Sequence, residues 1–218
     1  MHIHVKSLQR ICSNHAPSRA ISFDMAHVFK TLQLIKKRGH ISRDLLSKEL
    51  GLGGGSVRTL IRHLQIYNMI KATNAGTTMT QKGEALLSEL SFSIPAETSV
   101  PRCSIALGKF NYVVLLKQYG HTIKSGLEQR DAAIKLGAKG ATTLLFINAE
   151  LVMPSSTNYN SLQTEHEISK LLTTRLKPEE GDAIIIGSDD IHKKRAEIAA
   201  KNAALLTIMN HEKHIDHY

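Results

Sequence analysis

The sequence predicts an α+β chain of two units: a small helical unit closed by a β-hairpin, then a mixed α/β domain built on a mixed sheet. Three observations carry this. Apolar residues recur at helical spacing through residues 25–66 and give way to two short runs suited to strands. A stretch with two prolines, "SFSIPAETSVP", interrupts the periodicity. Beyond it, compact apolar runs of strand length alternate with amphipathic stretches.

In the first unit, "MAHVFKTLQLIKK" aligns Met25, Val28, Leu32 and Ile35 on one stripe, a first helix that Arg38, Gly39 and His40 end. Ser42 then suits the N-cap of "RDLLSKEL", whose apolar face is Leu45, Leu46 and Leu50. The cluster Gly51, Gly53, Gly54 and Gly55 follows a helix rather than a strand and lacks the Lys-Ser/Thr of a phosphate loop. It therefore reads as the turn between two helices, where glycine supplies a positive φ. The next helix turns Val57, Leu60, Ile61 and Leu64 inward. Its opposite face carries Arg58, Thr59 and Arg62, with Ser56 near its start and His63 at the flank, donors that suit phosphates and base edges; the alternative is a merely solvated face. Residues 69–73 and 77–80 read as strands joined by Asn74, Ala75 and Gly76, and "QKGEALLSEL" as a helix with Ala85, Leu86 and Leu90 inward. Three helices, a hairpin wing and a fourth helix make a winged helix-turn-helix.

Charge agrees with a polyanion partner for this half. Residues 1–100 hold 13 Lys and Arg against 6 Asp and Glu, and residues 101–218 hold 15 against 13, within a formal net charge of +9. The two cysteines, Cys12 and Cys103, have no CxxC spacing, so neither a disulfide framework nor a thiolate zinc site is indicated, and a cytoplasmic location is expected. No apolar run reaches the roughly 18 residues of a membrane span. The first 21 residues read as a flexible arm or an overlong translation start.

In the second unit, "YVVLLK" reads as a strand and "SGLEQRDAAIKLGAKG" as a helix. "ATTLLFINAELVMP" reads as two strands turning at Asn148 and Ala149, "TEHEISKLLTTRL" as a helix, "DAIIIG" as a buried strand, and residues 190–209 as a final helix. At about 100° per residue, Arg130 and Asp131 fall on the side of Leu127 and Ile134, with Glu128 at its rim. Burial would make the charged pair either mutually satisfied or the lining of a polar pocket. The end of the buried strand, Gly187, Ser188, Asp189 and Asp190, is either an anion-binding turn or a helix cap. "HEKHIDH", with His211, His214 and His217, reads as a polar tail rather than a metal site. No catalytic triad, nucleophile elbow or metal-ligand set is evident.

The segment "GLGGGSVRTLIRHLQIYNMI" resembles the "LGxSxxTVxRxLxxLxxxGLI" pattern of many prokaryotic regulators. That resemblance implies that Ser56, Arg58, Thr59, Arg62 and His63 face the major groove while the wing, with Asn74 and Thr77, lies against the backbone. The wing departs from the pattern in having no cation at its tip, for which Lys71 and Lys82 at its base would substitute. "EQRDAAIKLGAKGATTL" and "GDAIIIGSDD" look like an archaeal family in which a winged helix precedes a domain of uncharacterised function; the likeness spans most of residues 22–208 and implies a regulatory role. The expected organisation is an arm at 1–21, a DNA-binding winged helix-turn-helix at 22–92, a linker at 93–101, an effector or dimerisation domain at 102–210 and a tail at 211–218. The expected protein is a homodimeric transcription regulator that binds double-stranded DNA and whose C-terminal domain senses a small molecule, with a small anionic ligand as the candidate, or dimerises, or both; no cofactor is predicted. The alternative is an enzyme acting on a phosphorylated metabolite or nucleotide, which requires Arg130 and the Gly187–Asp190 turn to meet in one deep pocket. A third is a protein-interaction module without a pocket.

Overall fold

The computed structural model describes residues 2–13, 21–154, 160–162 and 165–210. The chain divides into two compact units, Met1–Leu90 and Ser91–Tyr218. The first contains α1 (His2–Ile11), α2 (Met25–Arg38), α3 (Arg43–Leu50), α4 (Gly54–Ile66), β1 (Ile70–Thr73) and β2 (Gly76–Met79), and α5 (Gln81–Ser93) begins in it.

Each boundary has a local cause. The Asp24 backbone N–H donates to His27 Nδ1 at 3.1 Å, tying down the start of α2, and Gly39 ends it with a positive φ. Ser42 accepts the Leu45 N–H at 3.3 Å, and Gly51, in the left-handed region, closes α3. Of the clustered glycines only Gly51 needs that conformation. Gly53 is the N-cap of α4, while Gly54 and Gly55 are its first residues, at ordinary φ and with open space where a Cβ would stand. β1 and β2 pair antiparallel from Ile70↔Met79 to Thr73↔Gly76, and Ile41 bridges to Thr77 as a further rung.

The expected flexible arm is in part a helix. Val5, Leu8 and Ile11 of α1 are fully buried, and α1 packs on α2. A three-residue apolar spacing in so short a segment, with polar neighbours, carried too weak a signal to separate from a solvated arm. Residues 14–20 and the expected tail at 211–218 lie outside the described residues.

The second unit is one six-stranded sheet, ordered β3 (Glu97–Val100), β4 (Phe110–Leu116), β8 (Ala183–Asp189), β5 (Gly140–Ile147), β6 (Glu150–Met153) and β7 (Asn160–Ser161). Every neighbouring pair is antiparallel, which corrects the expected mixed sheet. α6 (Leu127–Lys135) and α8 (Lys193–Asn210) cover one face. On the other, α7 (His166–Leu176) buries Ile168, Leu172 and Leu176 in a core with Val113, Leu115, Leu144, Ile184 and Ile186. A strand covered on both faces is a continuous apolar run whichever way its neighbours point, so the run in β8 could not reveal strand direction. The expected linker holds a strand, because Pro95 and Pro101 flank β3 rather than interrupt it. Asn148 and Ala149 both adopt positive φ, 51° and 63°, making the predicted two-residue turn between β5 and β6.

Burial pushes the His27 imidazole down to about 4, assisted by the Lys30 ammonium. An unfolded chain takes up that proton near pH 6.5, so the stability tied to neutral His27 is whole above 6.5 and drains away as pH falls toward 4, roughly 3 kcal/mol in all. Burial raises the Asp24 carboxyl, which acts in the opposite direction in the acid range. His27→Gln keeps an acceptor for the Asp24 N–H but cannot titrate. Urea denaturation at pH 7 and pH 4.5 should therefore show a smaller loss in the variant than in the wild type; equal losses would remove His27 as the cause.

Candidate nucleic-acid interface

The two faces of α4 are sharply different. Val57, Leu60, Ile61 and Leu64 are buried, and Arg58, Arg62 and Gln65 are exposed one to two turns apart on the outside. Between that outer face and the β1–β2 hairpin runs a groove of about 490 Å³, whose polar lining includes Arg43, Arg58, Arg62, Gln65, Asn74 and Thr77. A second hollow, about 470 Å³, is lined by Ser42, Arg43, Asp44, Ser47, Gly54 and Arg58, of which Ser42, Arg43 and Arg58 also line the first. Among the described residues, Arg43, Arg58 and Arg62 form no ion pair. Three guanidiniums without carboxylate partners thus stand around one concave surface.

The expected contact residues divide. Arg58, Arg62 and Asn74 line the groove; Thr77 also lines it, but is 5 % exposed and its backbone is committed to Ile41. Ser56 is half-buried, and the Thr59 hydroxyl donates back to the Gly55 carbonyl at 3.1 Å instead of pointing outward. Lys71 and Lys82 are exposed but outside the groove lining. His63 is a correction. It is 2 % exposed, its Nδ1 lies 2.7 Å from the Ile11 carbonyl oxygen, and its ring meets Phe23 edge-on at 5.6 Å. A carbonyl only accepts, so Nδ1 carries the hydrogen. The position reads as a flank only when α1 is left out of the packing. Two residues were missed: Gln65, which shares a face with Arg58 and Arg62 at helical spacing, and Arg43, which reaches the groove from α3 and carries no local signal for doing so.

The expected effector site does not assemble. Arg130 and Asp131 are 48 % and 56 % exposed, and they contact each other rather than a core. The buried side of α6 is Gln129, Ala132 and Ala133, while Leu127 and Ile134, expected inward from the sequence, stand half exposed. β8 runs on through Gly187 to Asp189. Ser188 is fully buried, donating to Asn111 Oδ1 at 2.8 Å and accepting the Leu107 N–H at 3.2 Å. Asp189 accepts the N–H groups of Ile191 and His192, a capping arrangement, and Asp190 holds Lys139 at 2.7 Å. The Lys139 hydrogen bond keeps the Asp190 carboxyl below its ordinary range. A hollow of about 340 Å³ between α6 and α8 is lined by Glu128, Gln129, Asp131, Lys135, Thr207 and Asn210 among others, but by neither Arg130 nor any of Gly187–Asp190. None of these three hollows brings Arg130 together with the Gly187–Asp190 turn, as the enzyme alternative requires. Among the described residues, no group of three His, Cys, Asp or Glu side chains could hold a metal ion, and no helix is long and apolar enough to cross a membrane.

Comparison with known proteins adds families without a stated activity. Residues 24–85 match the family described as "PH0730-like, N-terminal domain", and residues 107–208 match a "Domain of unknown function (DUF4443)". The chain is similar to the solved structure of the hypothetical protein PH0730 from Pyrococcus horikoshii OT3, at 27% identity and a TM-score of 0.68, over 88% of this chain and 95% of that one. No curated protein matches.

The two sides of α4 should separate by mutation. His63→Ala should cost roughly 2–4 kcal/mol, through poorer packing and an unpaired Ile11 carbonyl, whereas Arg62→Ala next to it should stay within about 0.5 kcal/mol. Urea denaturation of the two variants measures this, and comparable small effects would put His63 on the surface.

Proposed function

We propose that the N-terminal unit is a winged helix-turn-helix that binds double-stranded DNA, with α4 as the recognition helix, in a homodimeric transcription regulator. The observation that carries the reading is the set of guanidiniums, Arg43, Arg58 and Arg62, that form no ion pair among the described residues and stand around the groove between α4 and the hairpin. A folded protein gains nothing by leaving three cations beside one another, and a polyanion neutralises all three. Arg43 strengthens the case. It is the first residue of α3, where the helix dipole disfavours a cation, so helix stability does not account for it.

Arg58, Arg62 and Gln65 are the candidates for base edges, because guanidinium and amide groups make two-point contacts with guanine and adenine. Arg43 and the hairpin would hold the phosphates. With Asn74 and Ala75 at its tip, the hairpin carries no charge there, and its exposed Lys71 stands outside the groove lining, so affinity rests mainly on the helices. In the C-terminal unit, the hollow between α6 and α8 offers two carboxylates, Glu128 and Asp131, against one ammonium, Lys135. That balance favours a polar or cationic effector over the anionic one expected from sequence.

Arg58→Ala/Arg62→Ala should weaken binding to fragments selected from the source genome by at least about 100-fold with the slope of log K against log salt largely kept, whereas Arg43→Ala should reduce that slope by roughly one. Fluorescence anisotropy at two salt concentrations, with circular dichroism to confirm folding, reads both. Unchanged affinity in the folded double variant would sink the assignment of α4.

A further inference from the structure

The outward stripe of α6 consists of Leu127, Arg130, Asp131 and Ile134, each between 48 % and 56 % exposed. Leu127 and Ile134 are seven residues apart, almost two turns, and so share one side of the helix about 10 Å apart. Along the helix the order is apolar, cation, anion, apolar. Read from the other end, it is apolar, anion, cation, apolar. Such a pattern complements a second copy of itself laid antiparallel.

We propose that α6 is the contact through which two copies of this chain associate about a two-fold axis passing between Arg130 and Asp131. Leu127 then meets the partner's Ile134, and Arg130 meets the partner's Asp131, each contact occurring twice. Three features select this occupant over an unrelated protein. The exposed charges of the helix, Glu128, Arg130, Asp131 and Lys135, cancel, so two such faces do not repel although the whole chain carries +9. Within one chain, Arg130 Nε and Nη2 both reach Oδ1 of Asp131, at 3.3 and 3.2 Å, and among the described residues Oδ2 has no hydrogen-bond partner; it is left for a guanidinium from across the axis. Leu107, 44 % exposed, extends the apolar surface beside Arg130: the Leu107 Cδ1 and Arg130 Cγ lie 2.8 and 3.5 Å from where a Cβ on Gly140 would stand.

Two short helices, each with a flanking leucine, make a contact at the low end of the interface size range, which gives a concentration-dependent dimer with a dissociation constant on the order of micromolar. Joining two DNA-binding units raises their avidity for a paired site. Only that consequence depends on the DNA-binding reading; the association itself does not.

The test is sedimentation equilibrium of the full chain without DNA at about 100 μM, well above the expected dissociation constant. The wild type should be a dimer. Arg130→Asp and Asp131→Arg, each alone, set like charges face to face across the axis and should weaken association at least tenfold. The double exchange Arg130→Asp/Asp131→Arg in one chain restores the complement and should recover the dimer. All four positions are exposed, so folding should persist, as circular dichroism checks. In a background with Cys12 and Cys103 replaced by serine, Leu127→Cys mixed with Ile134→Cys should form an intermolecular disulfide that neither forms alone, which reports the antiparallel direction. A wild-type monomer at that concentration, a dimer indifferent to the single charge reversals, or a double exchange that stays monomeric would each overturn the proposal. Loss of DNA binding with the dimer intact would count against the DNA-binding reading alone.

Discussion

The second unit depends on how closely α8 approaches β8 at Gly187. A Cβ there would stand 2.4 Å from the Ala196 carbonyl oxygen and 2.6 Å from the Ala200 nitrogen, so helix and strand meet at backbone distance. The helix side is small as well, with Ala196, Ala199, Ala200, Ala203 and Ala204 all buried. Because β8 lies between β4 and β5, its position sets the register of the sheet on both sides. Both ends of the strand are fastened by buried polar groups. Just before it, Asp182 accepts the N–H groups of Gln118 and Glu179 and meets Lys117 at 3.2 Å; at its far end, Ser188 and Asp189 bind loops and the approach to α8. The turn that resembles a ligand site from sequence is engaged in holding this strand.

Most elements were legible because they rest on local rules. Ser42 capping α3, Gly51 closing it, the Asn74, Ala75 and Gly76 connection between β1 and β2 and the turn at Asn148 and Ala149 all depend on neighbours within a few residues. The misreadings share a different origin. α6 has two possible buried sides, and composition favours the one with Leu127 and Ile134. In the fold, the small side with Ala132 and Ala133 packs against α8 and β5 instead, because a helix approaching this closely has no room for leucine. Strand direction, the burial of His63 behind α1 and the reach of Arg43 into the groove are all tertiary facts with no local periodicity to announce them.

The same distinction explains why one candidate site comes together in the fold and the other does not. An exposed polar face is what remains of an amphipathic helix once its core residues are assigned, so Arg58 and Arg62 could be placed on the outside by subtraction. An effector pocket needs residues from several elements to converge, and sequence gives no distances between them. Residues of ligand-binding type, such as Ser188 and Asp189, are also the residues that cap helices and satisfy buried loops, and here the second use prevails.

Strand β3 shows how a segment without a strong pattern is held. Its Glu97 reaches Lys201 of α8 at 2.9 Å, and Glu197 meets the same ammonium at 3.1 Å. Lys201 is 1 % exposed and lies 5.6 Å from the centre of the Tyr112 ring. Burial, followed by the charges of Glu97 and Glu197, pushes the Tyr112 hydroxyl well above its ordinary range, so the phenol stays neutral and can donate into the cluster. A buried ammonium with two carboxylates gains little net stability over an apolar contact, but losing one partner strands the others at a cost of roughly 3–5 kcal/mol. The cluster therefore acts as a constraint on register. An edge strand of four residues, "ETSV", has little apolar surface with which to choose its alignment, and a one-residue slip would swing Glu97 to the opposite face and leave Lys201 short of a partner. Charge does here what hydrophobic patterning does for β8.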